Sequence, residues 1–296
     1  SEMKRALAII NPISGTGSKR SVPELLGRAY QDTPFELFFT YTREAGHAEE
    51  LARRAAAEGY DHVIAVGGDG TVNEVARGLL HSSTALGIIP KGSGNGLART
   101  LGIPMNAEQA ITALVGAQRA SIDACQVGDR PFFCTCGMGF DAAVSWSFAE
   151  ADKRGPMTYL QTMVSEYRSF SPDSYRVTLD EGEPFETEAF VLVLANASQY
   201  GNNAYIAPAA DLSDGLIDLA IIRPFPVLEA AVVLGDLMLG RLEGNKHYET
   251  LRARRVRIER GAAGPVHLDG EPFELGATLE VEVLPLALQV LLPQQS

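Results

Sequence analysis

Three cysteines in 296 residues, Cys125, Cys134 and Cys136, leave no basis for a disulfide framework. Cys134 and Cys136 alternate within FFCTCGMG, so on one strand they would share a face, and buried thiols in a reducing cytoplasm are the expectation. Basic residues are also scarce: 25 Lys and Arg stand against 37 Asp and Glu, a formal net charge of −12. That balance argues against wholesale nucleic-acid binding, whose affinity comes from neutralised phosphates. Arg252, Arg254, Arg255 and Arg257 form the best local basic cluster. A solvated strand face is its plainer reading, an anionic membrane contact the sharper one. No apolar run is long enough to cross a bilayer. The most apolar helical stretch, residues 227–239, is interrupted by Glu229 and Asp236 and falls short of about 20 residues. No secretory signal is read at the start, and no internal repeat, low-complexity segment or long linker is found. A cytoplasmic globular protein is expected.

What the chain does have is apolar content, 46%, enough for one large domain or two modest ones. Its most informative stretch is residues 61–80, DHVIAVGGDGTVNEVARGLL. The apolar run Val63, Ile64, Ala65, Val66 reads as a buried strand, and Gly67-Gly68-Asp69-Gly70 as a turn. Val72, Val75, Ala76, Leu79 and Leu80 then recur at helical spacing. Thr71 and Glu74 have capping-box spacing, which predicts a helix starting at Thr71. Strand, glycine turn and helix N-terminus together suit a polyphosphate, because free N–H groups and the helix dipole both favour negative charge. Asp69 inside that turn would repel phosphate unless a divalent cation lay between them. The plainer alternative is a strand–helix turn that uses glycine for positive φ.

Taken in order, residues 5–11 read as a first strand running into the small-residue turn 12–18, with a helix whose first turn holds Pro23. Residues 35–42 read as a strand and 47–58 as a helix with Ala48, Leu51, Ala52 and Ala55 inward. After the glycine turn come strand 85–89, the polar turn 90–96 and helix 106–118. Strands alternating with helices predict a parallel sheet with helices on both faces, an α/β nucleotide-binding domain over residues 1–121. Ligands on such sheets sit beyond the C-terminal strand ends, where the turns at 11–18, 67–71 and 92–96 should gather.

From about Ser121 the pattern becomes strand-rich. Residues 122–127, 132–136, 175–179, 188–195, 216–222, 251–258, 266–268 and 279–284 read as strands; 142–149, 159–169 and 227–239 read as helices. A β-rich sandwich domain over 122–285 is expected, with 286–296 packing back on the first domain and a site in the cleft between domains. Asp211 and Asp214 lie in a polar loop, where capping of backbone N–H groups is the usual role of such carboxylates. His267-Leu268-Asp269-Gly270-Glu271 reads as a strand ending in a hairpin turn.

These motifs together resemble the diacylglycerol kinase catalytic-domain family, which includes bacterial lipid kinases and the sphingosine and ceramide kinases. The matching pieces are N-P-x-S-G from Asn11, T-x-x-x-G-H-A from Thr42, G-G-D-G-T-x-N-E from Gly67 and P-x-G-S-G-N from Pro90. G-x-G-x-D from Gly137, A-P-x-A-x-x-x-D-G from Ala207 and L-D-G-E from Leu268 follow in the same order. The resemblance implies ATP-dependent phosphorylation of a lipid hydroxyl. ATP would be bound by Asn11, Thr42, Gly67, Gly68, Asp69, Gly70, Thr71, Asn73, Glu74, Gly92, Ser93 and Asn95. Glu271 would act as general base with Asp269 beside it, and Asp69 would orient Mg²⁺ on the phosphates. A structural Mg²⁺ would be held by Asp214 with the carbonyls of Asp211 and Leu216.

The family's bacterial diacylglycerol kinases often carry Asp where this chain has His47 and Gly96, so the match leans toward the sphingosine and ceramide branch. The lipid partner implies peripheral contact at the inner membrane surface, and a second copy of the chain is a further candidate partner. Residues 227–239, Trp146 and Phe148 are candidates for lining an acyl pocket or touching the bilayer, with a plain core helix as the alternative; Asp141 is a candidate headgroup contact. A kinase acting on soluble NAD, sharing only the G-G-D-G-T turn, and a non-catalytic lipid or nucleotide sensor are the rival readings.

Overall fold

The computed structural model describes residues 2–12, 21–92, 94–140, 156–199 and 204–294, and the chain divides into two compact units, Ser1–Asp123 with Pro285–Ser296, and Ala124–Leu284. No helix among the described residues is long and apolar enough to cross a membrane.

The first unit is built on β1 (Lys4–Ile10), β2 (Phe35–Tyr41), β3 (His62–Gly67) and β4 (Ala85–Pro90), paired in the order β2-β1-β3-β4 with every ladder parallel. β3 and β4 are buried almost end to end, which is why they read as continuous apolar runs. The helices are α1 (Val22–Ala29), α2 (His47–Ala57), α3 (Asp69–Leu79), α4 (Gly96–Thr100) and α5 (Ala107–Val115). α1 packs on α5 and α2 on α3, and right-handed crossovers put the two pairs on opposite faces of the sheet. The α2–α3 contact is close because Gly78 has no side chain: a Cβ there would lie 2.5 Å from the Glu49 carbonyl oxygen.

In the second unit, β5 (Gln118–Val127), which enters it from the first unit, and β6 (Arg130–Phe132) form a hairpin. β7 (Thr135–Gly139) follows, then α6 (Pro156–Ser169), β8 (Asp173–Leu179), β9 (Phe185–Ala189), β10 (Val191–Ala195) and β11 (Ile217–Ile222). After α7 (Ala230–Leu239) come β12 (Tyr248–Ala253), β13 (Arg255–Arg260), β14 (Gly264–Leu268), β15 (Glu271–Leu275) and β16 (Thr278–Leu292). One sheet runs β12-β11-β10-β7-β14-β15, all antiparallel. The other contains β13 flanked by β8 and the first part of β16. Alternate residues of both, such as Leu192 and Leu194 or Val256 and Ile258, fill the core between them, as a sandwich requires. α7 and residues 206–207 cover the outer face of the six-stranded sheet, with Val233 in one buried cluster with Val191, Val193 and Ala220.

The α/β-plus-sandwich architecture therefore matches the sequence expectation, with corrections in detail. Residues 188–195 are two strands, β9 and β10, because the chain passes from one sheet to the other at Phe190. The runs 251–258 and 132–136 divide in the same way, at Arg254 and at Phe133–Cys134. Cys134 thus sits ahead of β7 rather than on one strand with Cys136, although all three cysteines are buried. α5 stops at Val115, capped by Gly116, and Gln118 already belongs to β5. The helix expected at 142–149, with Asp141, Trp146 and Phe148, lies outside the described residues.

Candidate active site

The C-terminal ends of β1, β2, β3 and β4 gather most of the residues singled out above. Asn11 continues β1 by donating its N–H to the Val66 carbonyl (3.0 Å), and Thr42 continues β2 by bonding the Ile10 carbonyl (3.0 Å). The Lys91 N–H reaches the Gly67 carbonyl at 2.9 Å. The turns after β1, β3 and β4 are thereby joined through the main chain. Ser93 and residues 13–20 lie outside the described residues.

α3 starts at Asp69, two residues earlier than the capping-box spacing predicts, with Gly68 at its N-cap and no side-chain cap. The Thr71 hydroxyl instead accepts from Asn11 Nδ2 at 3.3 Å, and Glu74 keeps one buried carboxylate oxygen without a partner. First-turn N–H groups left uncapped are available to an anion, with the helix dipole behind them. Gly67 and Gly68 serve space rather than handedness, whereas a Cβ on Gly70 would meet nothing within 4 Å. None has positive φ, but a Cβ on Gly67 would stand 2.8 Å from the Thr71 side chain, and one on Gly68 would stand 3.3 Å from the Lys91 carbonyl oxygen.

Asp69 is the brace of the cluster. Its two carboxylate oxygens accept the N–H groups of Asn95 and Gly96, both at 2.9 Å. Asn95 is buried in the left-handed region (φ 57°) and starts α4 without a side-chain cap of its own, so the Asp69 carboxylate supplies the cap from the neighbouring loop. Asn95 Nδ2 closes the loop on itself through the carbonyls of Lys91 (3.1 Å) and Gly92 (3.2 Å). A Cβ at Gly94 would come within 2.1 Å of Asp69 Oδ2, which explains the glycine there. Each Asp69 oxygen accepts one of these bonds and keeps a second lone pair, so an oxygen-seeking cation such as Mg²⁺ fits. His47 opens α2 and turns its Nδ1 onto the Arg43 N–H (3.0 Å). It closes its own turn.

In the second unit Asp269 and Gly270 both have positive φ, 52° and 84°, the signature of a two-residue type I′ turn between β14 and β15. The turn is more than an ordinary hairpin. The Asp269 carboxylate points inward and accepts the N–H groups of Phe133 (2.9 Å), Cys134 (2.7 Å) and Thr135 (3.1 Å). Burial pushes its carboxyl above the usual range, while the three N–H groups pull the other way. Both oxygens are committed to main chain, so Asp269 positions the turn, while Glu271 stands exposed at the start of β15. Asp269→Ala is expected to cost about 3 kcal/mol or more, since three N–H groups lose their acceptor. A lowered urea midpoint at unchanged slope is the readout; an unchanged midpoint would contradict the assignment.

The loop before β11 holds the proposed cation residues. Asp211 Oδ1 accepts from the Ser213 N–H (2.7 Å) and hydroxyl (2.9 Å), and Asp214 Oδ1 from the Leu216 N–H (3.0 Å). Each carboxylate closes its own turn, and the described residues contain no group of three or more His, Cys, Asp or Glu able to hold a metal. A hard cation is still compatible with the place. Asp218, on β11, is buried with Oδ1 unpartnered. Its carboxyl is raised first by burial and further by Asp214 and Asp211, against Arg252. Arg252 pairs with Asp218 (3.3 Å) and donates to the Ala209 carbonyl (3.1 Å). Arg257 pairs with Glu280 at 2.8 Å, so both arginines take part in structural pairs.

Sequence reasoning passed over Asp123, a fully buried carboxylate on β5 whose Oδ1 accepts the Leu286 N–H at 2.8 Å. Leu286 has φ 49°, so the bond holds β16 where its backbone is in the left-handed region. An acid inside the apolar run Ile122 to Val127 was the available signal.

Residues 5–127 match the family model described as "Diacylglycerol kinase catalytic domain", and residues 134–292 match "YegS C-terminal NAD kinase beta sandwich-like domain". The chain is 33% identical over 282 residues to "Probable lipid kinase YegS-like" of Chromohalobacter salexigens, covering 93% of this chain and 89% of that one. It is 31% identical over 276 residues to "Diacylglycerol kinase" of Bacillus subtilis, covering 91% and 90%. A solved structure titled as a diacylglycerol kinase from Bacillus anthracis superposes with a TM-score of 0.74 at 20% identity, over 99% of this chain and 98% of that one, a likeness of fold.

Proposed function

Because the chain belongs to the diacylglycerol kinase catalytic-domain family, we propose that it is an ATP-dependent lipid kinase that moves the γ-phosphate of ATP to a lipid hydroxyl. The observation that carries this reading is the uncapped N-terminus of α3 beside a loop cross-braced by Asp69. The first-turn N–H groups take the phosphates, and the fixed turns present them without reorganisation. Asn11, Thr42, Asn73, Glu74, Gly92, Ser93 and Asn95 complete the nucleotide contacts.

The lipid oxygen forms a bond to the γ-phosphorus while the bond from that phosphorus to the β–γ bridging oxygen breaks, releasing ADP. Glu271 accepts the hydroxyl proton, and Asp269 holds the turn that carries it. Mg²⁺, when bound, neutralises charge on the transferring phosphoryl group, and Asp69 is the carboxylate assigned to hold it. Asp214, with the carbonyls of Asp211 and Leu216, is assigned a structural cation. The acceptor is a bilayer lipid of the diacylglycerol or sphingoid type.

Incubating the purified chain with γ-labelled ATP and either dispersed lipids or NAD tests the reading. Label in the organic extract is expected. Label on NAD, or on neither, would overturn it.

A further inference from the structure

Six of the twelve exposed large apolar side chains among the described residues lie within residues 227–239: Val227, Leu228, Val232, Leu234, Met238 and Leu239. A helix that only completed the core would hide such residues, yet Val233 alone is buried on α7. Projected at about 100° per residue along α7, Leu234, Met238, Leu239 and Val232 fall on one outward arc of about 160°, and Val227 and Leu228 stand exposed on the 3-10 turn (Val227–Glu229) that leads into it. Ala231 and Gly235 lie in the same arc, so it holds no charge. Val233 and Leu237 point the opposite way, onto the outer face of the six-stranded sheet.

The two acids of the segment lie at the margin of this arc and are drawn aside. Glu229 is held by Lys246 (3.0 Å) and by His247. Asp236 accepts from Asn245 Nδ2 at 3.0 Å. Two exposed cations, Arg241 and Lys246, stand just past the C-terminal end of the helix, with Glu243 the exposed acid among them. An uncharged apolar face whose flanking acids are drawn aside is complementary to the interfacial region of a bilayer.

We infer that the outward arc of α7, with Leu228 on the 3-10 turn before it (92% exposed), docks this protein onto a lipid bilayer by inserting among the acyl chains. The inference rests on the lipid-kinase reading for its choice of occupant, since a bilayer-resident acceptor requires the enzyme to work at that surface. A second copy of the chain is the competing occupant, and the test separates the two.

The full-length protein and the double variant Leu228→Glu/Leu239→Glu are sedimented with sucrose-loaded vesicles of phosphatidylcholine, with and without phosphatidylglycerol. Both positions are exposed, so the variant is expected to melt like the parent. The parent should pellet with both vesicle compositions, and the variant should partition at least about a hundredfold more weakly, from roughly tenfold for each leucine withheld from hydrocarbon. Equal pelleting of the two proteins, or no pelleting of either, overturns the inference. So does a parent that is dimeric by light scattering and becomes monomeric in the variant, because the face then belongs to a second copy.

Turnover on a water-dispersed short-chain diacylglycerol is measured alongside. Parent and variant with equal turnover there, but different turnover on vesicles, support docking. A parent that binds vesicles through this face yet phosphorylates no lipid supports docking and sinks only the kinase assignment.

Discussion

Replacing Asp69 by alanine is expected to lower kcat/KM for ATP by roughly 10³-fold or more, with the KM for ATP raised as well. The carboxylate does two jobs that alanine cannot. It caps the N–H groups of Asn95 and Gly96, so its loss leaves α4 uncapped and releases the 91–96 loop. It also supplies the negative charge assigned to Mg²⁺. Two half-buried N–H groups without an acceptor add a stability cost of about 2 kcal/mol or more, visible as a lower melting temperature.

Asp69→Asn removes the charge and half of the brace together. An amide has one oxygen to offer two N–H donors, so its NH₂ group must face one of them, and the brace fails on that side. Asparagine should therefore resemble alanine in both activity and melting temperature. Undiminished transfer by either variant would remove Asp69 from the site.

Glu271→Gln should behave oppositely in stability. Glu271 is exposed, and its main chain rather than its carboxylate pairs with Leu268 across the hairpin, so a change within about 0.5 kcal/mol is expected. Its kcat should nevertheless fall by roughly 10²–10⁴-fold, the usual worth of a positioned general base, with little change in the KM for ATP. A large loss of stability with proportionate loss of activity would instead make Glu271 structural, the role argued for Asp269.

The alternation of apolar runs with helical patterns made the parallel sheet legible, because β3 and β4 are buried on both faces and carry almost no polar residue. The sandwich corners were not legible. Residues 188–195 and 251–258 keep strand-like composition straight through Phe190 and Arg254, where the chain changes sheets, and a two-residue period does not encode which sheet a residue joins. The five-residue α4 is too short to show a helical period. In the site, residue types were readable but their partners were not. Thr71 and Glu74 have the spacing of a local cap, yet Thr71 bonds Asn11, sixty residues away in sequence, and Asp69 caps a different helix. Asp269 reads as a turn residue because its φ demands one, while its three N–H donors lie more than 130 residues earlier. Long-range capping of this kind leaves no mark in local spacing.

The most direct test of the central claim is mass spectrometry of a total lipid extract after incubation with ATP, Mg²⁺ and either the parent or Glu271→Gln. The account predicts that the parent adds one phosphate to a lipid class bearing a free hydroxyl, and that the variant forms at most a small fraction of that product. ATP hydrolysis with no phosphorylated lipid, or equal product from both proteins, would contradict it.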